Sequence, residues 1–353
     1  RMDYSITDPM DRTADILSYA AGHKALGLYA MSALRNEVVR LVAPDQLPED
    51  VKQQLRLEDI LGFRKNPITS TPLFKEFGSK PLDGHPTPET PFVWLSTGPS
   101  GVGVATSAGL ALTLKDMHGE KAPAVHVIEG EGGMTPGRVA EALASAATSG
   151  LDNFYFHVDW NQASIDSNAV TRDGAEAGEY VQWDPCDFLL MHGFNVIYVP
   201  DGFDFAQIRE AQKRAEELSN GRPTGIVYRT VKGWQYGIEG ARSHGAGHGF
   251  YSPEYLESLR PFEEKTGANF PRFEGEKDAV KVEQAFYESL LTIRSAFENH
   301  MALTRQLSDW IVNAKQRLLE APRTLRDNAP QLDKLYQEGA ISPLKRPADC
   351  TYE

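Results

Sequence analysis

The chain has 353 residues, 41% hydrophobic and 24% charged, enough for one large domain or two modest ones around a sizeable core. Its net charge of −13 is spread along the chain, which argues against nucleic-acid binding, since that needs a basic face. Cys186 and Cys350 make no disulfide framework or metal spacing and no apolar run approaches the roughly 18 residues of a membrane span, so a reduced, cytoplasmic setting away from membranes is expected.

In chain order, residues 8–65 read as mainly helical, because apolar residues recur at helical spacing from Ile16, Leu17 and Tyr19 through Leu26 and Leu28 to Val38 and Leu41. Residues 66–100 are rich in Pro, Gly and Thr and read as a long ordered loop, a feature usually tied to function. From about 101 to 232 strand and helix alternate. Strands are predicted at 124–129, 154–158, 195–199 and 225–231. One helix is predicted from Thr135 and Pro136 to Gly150, and another from the capping box of Asp204 and Gln207 to about Asn220. Such alternation predicts an α/β fold, a parallel sheet flanked by helices, with ligands outside the carboxyl ends of the strands. Beyond Tyr251 a helical extension is expected, with one long apolar periodicity over 279–319. A proline-marked connector should occupy the last thirty residues. The expected division is a ligand-binding domain over 1–260 and a helical extension with connector over 261–353.

The chemistry concentrates at two strand ends. Gly130, Glu131, Gly132 and Gly133 close the first strand of the alternating region, where glycines let backbone approach a phosphate and the next helix aims free N–H groups at it. Asn161 follows the second strand about thirty residues on, within Asp159-Trp160-Asn161-Gln162-Ala163. Adjacent parallel strands would bring Glu131 and Asn161 to one spot. A carboxylate, an amide oxygen and a main-chain carbonyl suit Mg²⁺ completed by diphosphate oxygens.

Gly130-Glu131-Gly132 through Asn161 resembles the thiamine-diphosphate fingerprint, and the stretch from Asp159 to Asp166 is similar to that of transketolases. Gly22-His23, Gly84-His85-Pro86, the turn Gly98-Pro99-Ser100-Gly101 and Ser243-His244-Gly245 resemble further pieces of the same family in the same order, over roughly residues 20–250. The resemblance implies thiamine diphosphate and Mg²⁺ as cofactors, with Glu131, Asn161 and the carbonyl of Ala163 on the metal. It places Gly98, Pro99, Gly130, Gly132, Gly133, Asn161, His23 and His244 at the cofactor, and His23, His85 and His244 as catalytic histidines. Imidazoles suit hydroxyl proton transfer near neutral pH, while the cofactor stabilises the carbanion. The other histidines read as structural, with His248 structural or at the pocket rim.

Two departures stand out. The family usually has Asp where Glu131 stands, and an acid about where Pro136 stands. The resemblance implies ketol transfer between phosphorylated sugars. It also implies a second, aminopyrimidine-binding domain, which is not found after Tyr251. A homodimer or a split-subunit partner is therefore expected, the chain being one subunit of a split enzyme or part of a longer one. A first component of a 2-oxo acid dehydrogenase, acting on a 2-oxo acid, stays open, as does a non-catalytic subunit that keeps the fold. A nicotinamide-binding unit fits poorly: Met134-Thr135-Pro136 displaces the third glycine, and Asp152 precedes its strand.

Overall fold

The computed structural model describes residues 2–64, 70–218, 220–245, 247–276 and 278–331. Five strands, β1 (Ile16–Tyr19), β2 (Val125–Gly130), β3 (Phe154–Trp160), β4 (Asn195–Val199) and β5 (Thr224–Arg229), form one sheet in the order β1-β2-β3-β5-β4. Every neighbouring pair is parallel, so all five carboxyl ends lie on one edge. The register sets Gly130 opposite Asp159 and Trp160 opposite Arg229, which aligns the tips of the central strands.

Strand β1 departs from the helical expectation for residues 8–65. Ile16 points into the cluster with Val104, Val125 and Phe156, while Leu17 and Tyr19 pack on the other side with Leu28 and Tyr29. That is the period-two alternation of a strand. Four residues are too few to stand out against the helix that follows, α1 (Ala25–Val42). The region expected as loop, 66–100, has one short helix, α2 (Pro72–Glu76), and otherwise runs as turns where described.

One face of the sheet is covered by α3 (Val102–His118), α4 (Gly137–Thr148) and α5 (Pro185–Met191), whose Ala111, Leu143 and Leu189 meet Val127, Phe156 and Val158 in the main core. Helices α3 and α5 had no place in the sequence reading. On the opposite face α6 (Phe205–Glu217) lies over β4 and β5. Its start has the expected Asp204 cap, which accepts from the N–H groups of Ala206 and Gln207, but not the full capping box, since the Gln207 side-chain oxygen accepts from the Asp201 N–H and not from that of Asp204.

The helical C-terminal part comprises α7 (Pro253–Thr266), α8 (Ala279–Asn299) and α9 (Met301–Glu320). The single periodicity expected over 279–319 breaks at His300, whose backbone is not helical (φ −115°, ψ 43°). Helix α8 packs on α1 through Leu290. Its Arg294 bonds Glu37 of α1 at 2.6 Å and Glu58 at 2.7 Å. Ile311 and Val312 of α9 pack against Val39. Residues 332–353, most of the expected connector and Cys350 with it, lie outside the described residues.

Candidate functional site

The segments leaving β1, β2, β3 and β5 enclose a cavity of about 500 Å³ at the carboxyl edge of the sheet. Its lining takes His23 and Lys24 from the turn after β1, the glycines and Glu131 from the turn after β2, Asn161 and Ala163 after β3, and Lys232 and His244 after β5. Gly98 and Ser100, the residues on either side of Pro99, close it from the glycine-rich turn. Gly98 has φ +150°, and a Cβ on Gly22 would come within 2.7 Å of its nitrogen. Two backbones in such contact explain the glycines at both places.

Glu131 and Asn161 do converge. The Glu131 carboxylate is 1% exposed, and its Oε2 accepts from the Asn161 main-chain N–H at 3.2 Å. Its other oxygen, Oε1, is buried with no hydrogen-bond partner among the described residues. Burial first, then the nearby Asp159 charge, raises the Glu131 carboxyl to about 7, against the hydrogen bonds and Lys24 that lower it. Asn161 Oδ1 accepts from the Ala163 N–H at 2.9 Å, and Nδ2 donates to Asp159 at 3.0 Å, which sets the orientation of the amide. A carbonyl-type oxygen has two lone pairs, so Oδ1 keeps one for a cation.

This donor set fits a divalent ion. An orphaned buried carboxylate oxygen beside a fixed amide oxygen is a hard, partial shell. No cluster of three or more acidic, histidine or cysteine side chains able to hold a metal occurs among the described residues. The ion would therefore depend on oxygens from a bound phosphate to complete its shell, the usual habit of Mg²⁺.

The hinge between Asn161 and Ala163 is Gln162, which sits at φ +61°, a conformation unfavourable for a residue with a side chain. Its amide is locked by Thr171: Oε1 accepts from the Thr171 N–H at 2.9 Å, and Nε2 donates to the Thr171 carbonyl at 2.9 Å. The turn that presents Asn161 is thus held by a buried side-chain clasp.

Three charged residues that the sequence reading passed over complete the floor. Lys24 reaches from the turn after β1 and bonds Asp159 Oδ2 at 2.5 Å. Asp159 also accepts a short bond from Thr230. Burial works against the Lys24 charge, but the Asp159 carboxylate outweighs it and the Lys24 pKa is raised. Asp159 is likewise held below the usual carboxylate range, because Lys24 and its other donors outweigh its burial. Glu129, 2% exposed, accepts from the Gly130 N–H at 2.8 Å and leaves Oε2 without a partner among the described residues. Burial raises its carboxyl to about 7. The turn after β2 folds over this carboxylate so closely that a Cβ on Gly133 would lie 2.2 Å from Glu129 Oε1.

Two of the three singled-out histidines meet: the His23 and His244 rings are 5.5 Å apart. Burial lowers His23 to about 4, aided by Lys24, His244, Lys232 and His85, so it is a neutral imidazole at neutral pH. Burial and Lys232 lower His244 as well. Lys232 Nζ lies 2.7 Å from His244 Nδ1. An ammonium only donates, so Nδ1 accepts and the ring proton of neutral His244 sits on Nε2. His85 packs against Gly98, on whose Cβ position its ring would sit at 3.2 Å, and it lines the neighbouring open cavity with Arg64 and Ser96. His248 bonds the Tyr236 carbonyl through Nε2 and the Tyr236 hydroxyl through its main-chain N–H.

A parallel α/β sheet with a polar, half-enclosed cavity at its carboxyl edge is the plan of a class of cofactor-binding domain. Residues 53–306 match the family described as transketolase, thiamine diphosphate binding domain, and the chain belongs to that family. Among curated relatives it is 30% identical over 233 residues to human transketolase-like protein 2 (66% of this chain, 31% of that protein), and 26% identical over 303 residues to the transketolase of Physarum polycephalum (81% and 40%). The chain thus spans about a third to two-fifths of the length of these relatives. The fold agrees with that of transketolase from Leishmania mexicana (TM-score 0.57, 21% identity, 90% of this chain and 42% of the other). It also agrees with the Pichia stipitis transketolase in complex with sedoheptulose-7-phosphate (0.57, 22%, 91% and 41%).

Proposed function

We propose that this chain binds thiamine diphosphate through its diphosphate, with Mg²⁺ between Glu131 and Asn161. We further propose that it is the diphosphate-binding half of a transketolase-like enzyme transferring ketol units between phosphorylated sugars. The observation that carries the reading is the convergence of the orphaned Glu131 oxygen with the fixed Asn161 amide at the tips of β2 and β3. Ala163, whose N–H bonds Asn161 in the same turn, would offer a third protein oxygen through its main-chain carbonyl, and the remaining positions would be left to diphosphate oxygens. Gly130 and Gly132 line the cavity without side chains, nothing described lying within 4 Å of a Cβ on Gly132, while Gly98, Pro99 and Gly133 shape the turns around it.

When bound, the cofactor supplies the electron sink for carbon–carbon cleavage. The chain's own residues bind, orient and handle protons. His23 and His244 are neutral and lie side by side, so both offer hydrogen bonds without adding charge. Lys232 fixes the His244 tautomer, leaving Nε2–H as donor toward a phosphate or hydroxyl oxygen. His85, across Gly98, serves a substrate hydroxyl. The aminopyrimidine half of the site comes from a second domain or subunit, in a dimer or a two-chain assembly.

The test is calorimetry of thiamine diphosphate with and without Mg²⁺, on the chain as it stands. Mg²⁺ should tighten binding, and Asn161→Leu should remove that increment while leaving the melting transition in place. An unaltered increment in Asn161→Leu refutes the metal assignment.

A further inference from the structure

The diphosphate cradle holds a cation of its own. Lys24 enters from the turn after β1 and crosses to the tip of β3, where its ammonium bonds Asp159 at 2.5 Å. The same Asp159 oxygen accepts from the Asn161 amide, so the ammonium and the amide share one carboxylate. A Cβ on Gly130 would lie 3.6 Å from Lys24 Nζ, which places the ammonium at the tip of β2 as well. Around it stand Glu129 and Glu131, each almost wholly buried and each with one oxygen lacking a partner among the described residues. Three carboxylates share this half-enclosed cavity with two lysines, of which Lys232 is engaged with His244. Lys24 alone pairs directly with a carboxylate, Asp159, and it lies in the field of Glu129 and Glu131.

Resting on the reading that this cavity takes a diphosphate, we propose that Lys24 is a resident counter-cation of the cradle. It grips the diphosphate directly in the absence of a divalent ion and opposes the binding of a divalent ion in the absence of diphosphate. The two effects share one cause, a fixed positive charge beside Glu131. Toward an anion it is a point of attachment, a charge-assisted hydrogen bond in a half-enclosed cavity. Toward a bare metal ion it is a like charge that has already claimed Asp159. With both ligands present, the negative charge of the phosphate would offset both cations and the opposition should disappear.

A purely structural lysine gives a different pattern on substitution, since loss of the Lys24–Asp159 pair would loosen the cradle for every ligand alike. The experiment therefore measures two ligands separately: inorganic pyrophosphate in EDTA by calorimetry, and Mn²⁺ alone by the electron-spin signal of the free ion. Wild type should bind pyrophosphate without metal. Lys24→Met should weaken pyrophosphate by about tenfold or more and tighten Mn²⁺ by a similar factor, while Lys24→Arg should keep both affinities within about threefold of wild type. Affinities that move in the same direction, or no pyrophosphate binding by wild type in EDTA, overturn the proposal. Should Lys24→Met show no melting transition, Asp159→Asn decides: freeing the ammonium should tighten pyrophosphate and weaken Mn²⁺, and no change in either overturns it. Thiamine diphosphate binding no tighter than pyrophosphate would refute the cofactor reading alone, because the Lys24 measurements use neither thiamine nor turnover.

Discussion

Gln162 joins the backbone of the site to its chemistry, and replacing it separates two effects of opposite sign. Its side chain satisfies both main-chain groups of Thr171, a residue only 1% exposed. Gln162→Ala leaves that N–H and that carbonyl buried without partners, at about 1–3 kcal/mol each, or roughly 2–6 kcal/mol together. The left-handed backbone at φ +61° remains and still carries a Cβ. Gln162→Gly loses the same two bonds but removes the Cβ penalty, so it should be about 1 kcal/mol more stable than the alanine variant. Urea denaturation followed by far-UV circular dichroism gives both differences. Calorimetry on the same proteins should show Mg²⁺-dependent cofactor affinity falling in both variants, because Asn161 and Ala163 flank the hinge. An alanine variant within about 0.5 kcal/mol of wild type, or a glycine variant no better than alanine, refutes the clasp.

Glu129 and Glu131 titrate near 7 in the folded chain against about 4.5 when unfolded, so the folded state holds more protons between those values. Metal-free stability should therefore be greatest at the acid end of that window and fall as pH rises from about 4.5 to 7, by roughly 3 kcal/mol per carboxyl. Chemical denaturation across pH should show the slope, and Glu129→Gln and Glu131→Gln should each flatten it; a flat wild-type profile contradicts the burial effect. Gly133→Ala should destabilise the chain by about 1–3 kcal/mol through collision with the Glu129 carboxylate, and the double variant Gly133→Ala with Glu129→Ala should recover much of that in the same denaturation assay. Arg294→Met removes one of the two partners of the buried Glu37 and should cost about 3 kcal/mol, read as a lowered urea midpoint; an unmoved midpoint would show that Arg40 suffices.

Much of the sheet was legible because β2 to β5 carry dense apolar runs bounded by turn residues, and because Asp204 announces α6 with its own side chain. The pair Glu131 and Asn161 was legible for a topological reason: residues just past adjacent parallel strands must come together. Strand β1 was hidden by its shortness. Helix α3 was hidden by glycine and alanine, which pack it tightly on β1 yet give little periodic contrast; a Cβ on Gly103 would meet the Ala20 backbone at 2.5 Å. Lys24, Asp159 and Glu129 escaped notice for a different cause. Each is a single charge beside a singled-out residue, and their pairing crosses from one strand tip to another. The signals available were a lysine inside the apolar stretch Ala20–Ala25 and acids at the closing positions of two buried strands. Gln162 gave no signal, since its role rests on a positive φ that its residue type does not advertise.

The most direct measurement is anomalous diffraction from crystals grown with Mn²⁺ and thiamine diphosphate. The expected result is a single Mn²⁺ peak within bonding distance, about 2.2 Å, of a Glu131 carboxylate oxygen and of Asn161 Oδ1, with diphosphate oxygens completing the shell. A diphosphate bound elsewhere, or Mn²⁺ away from both side chains, contradicts the central claim.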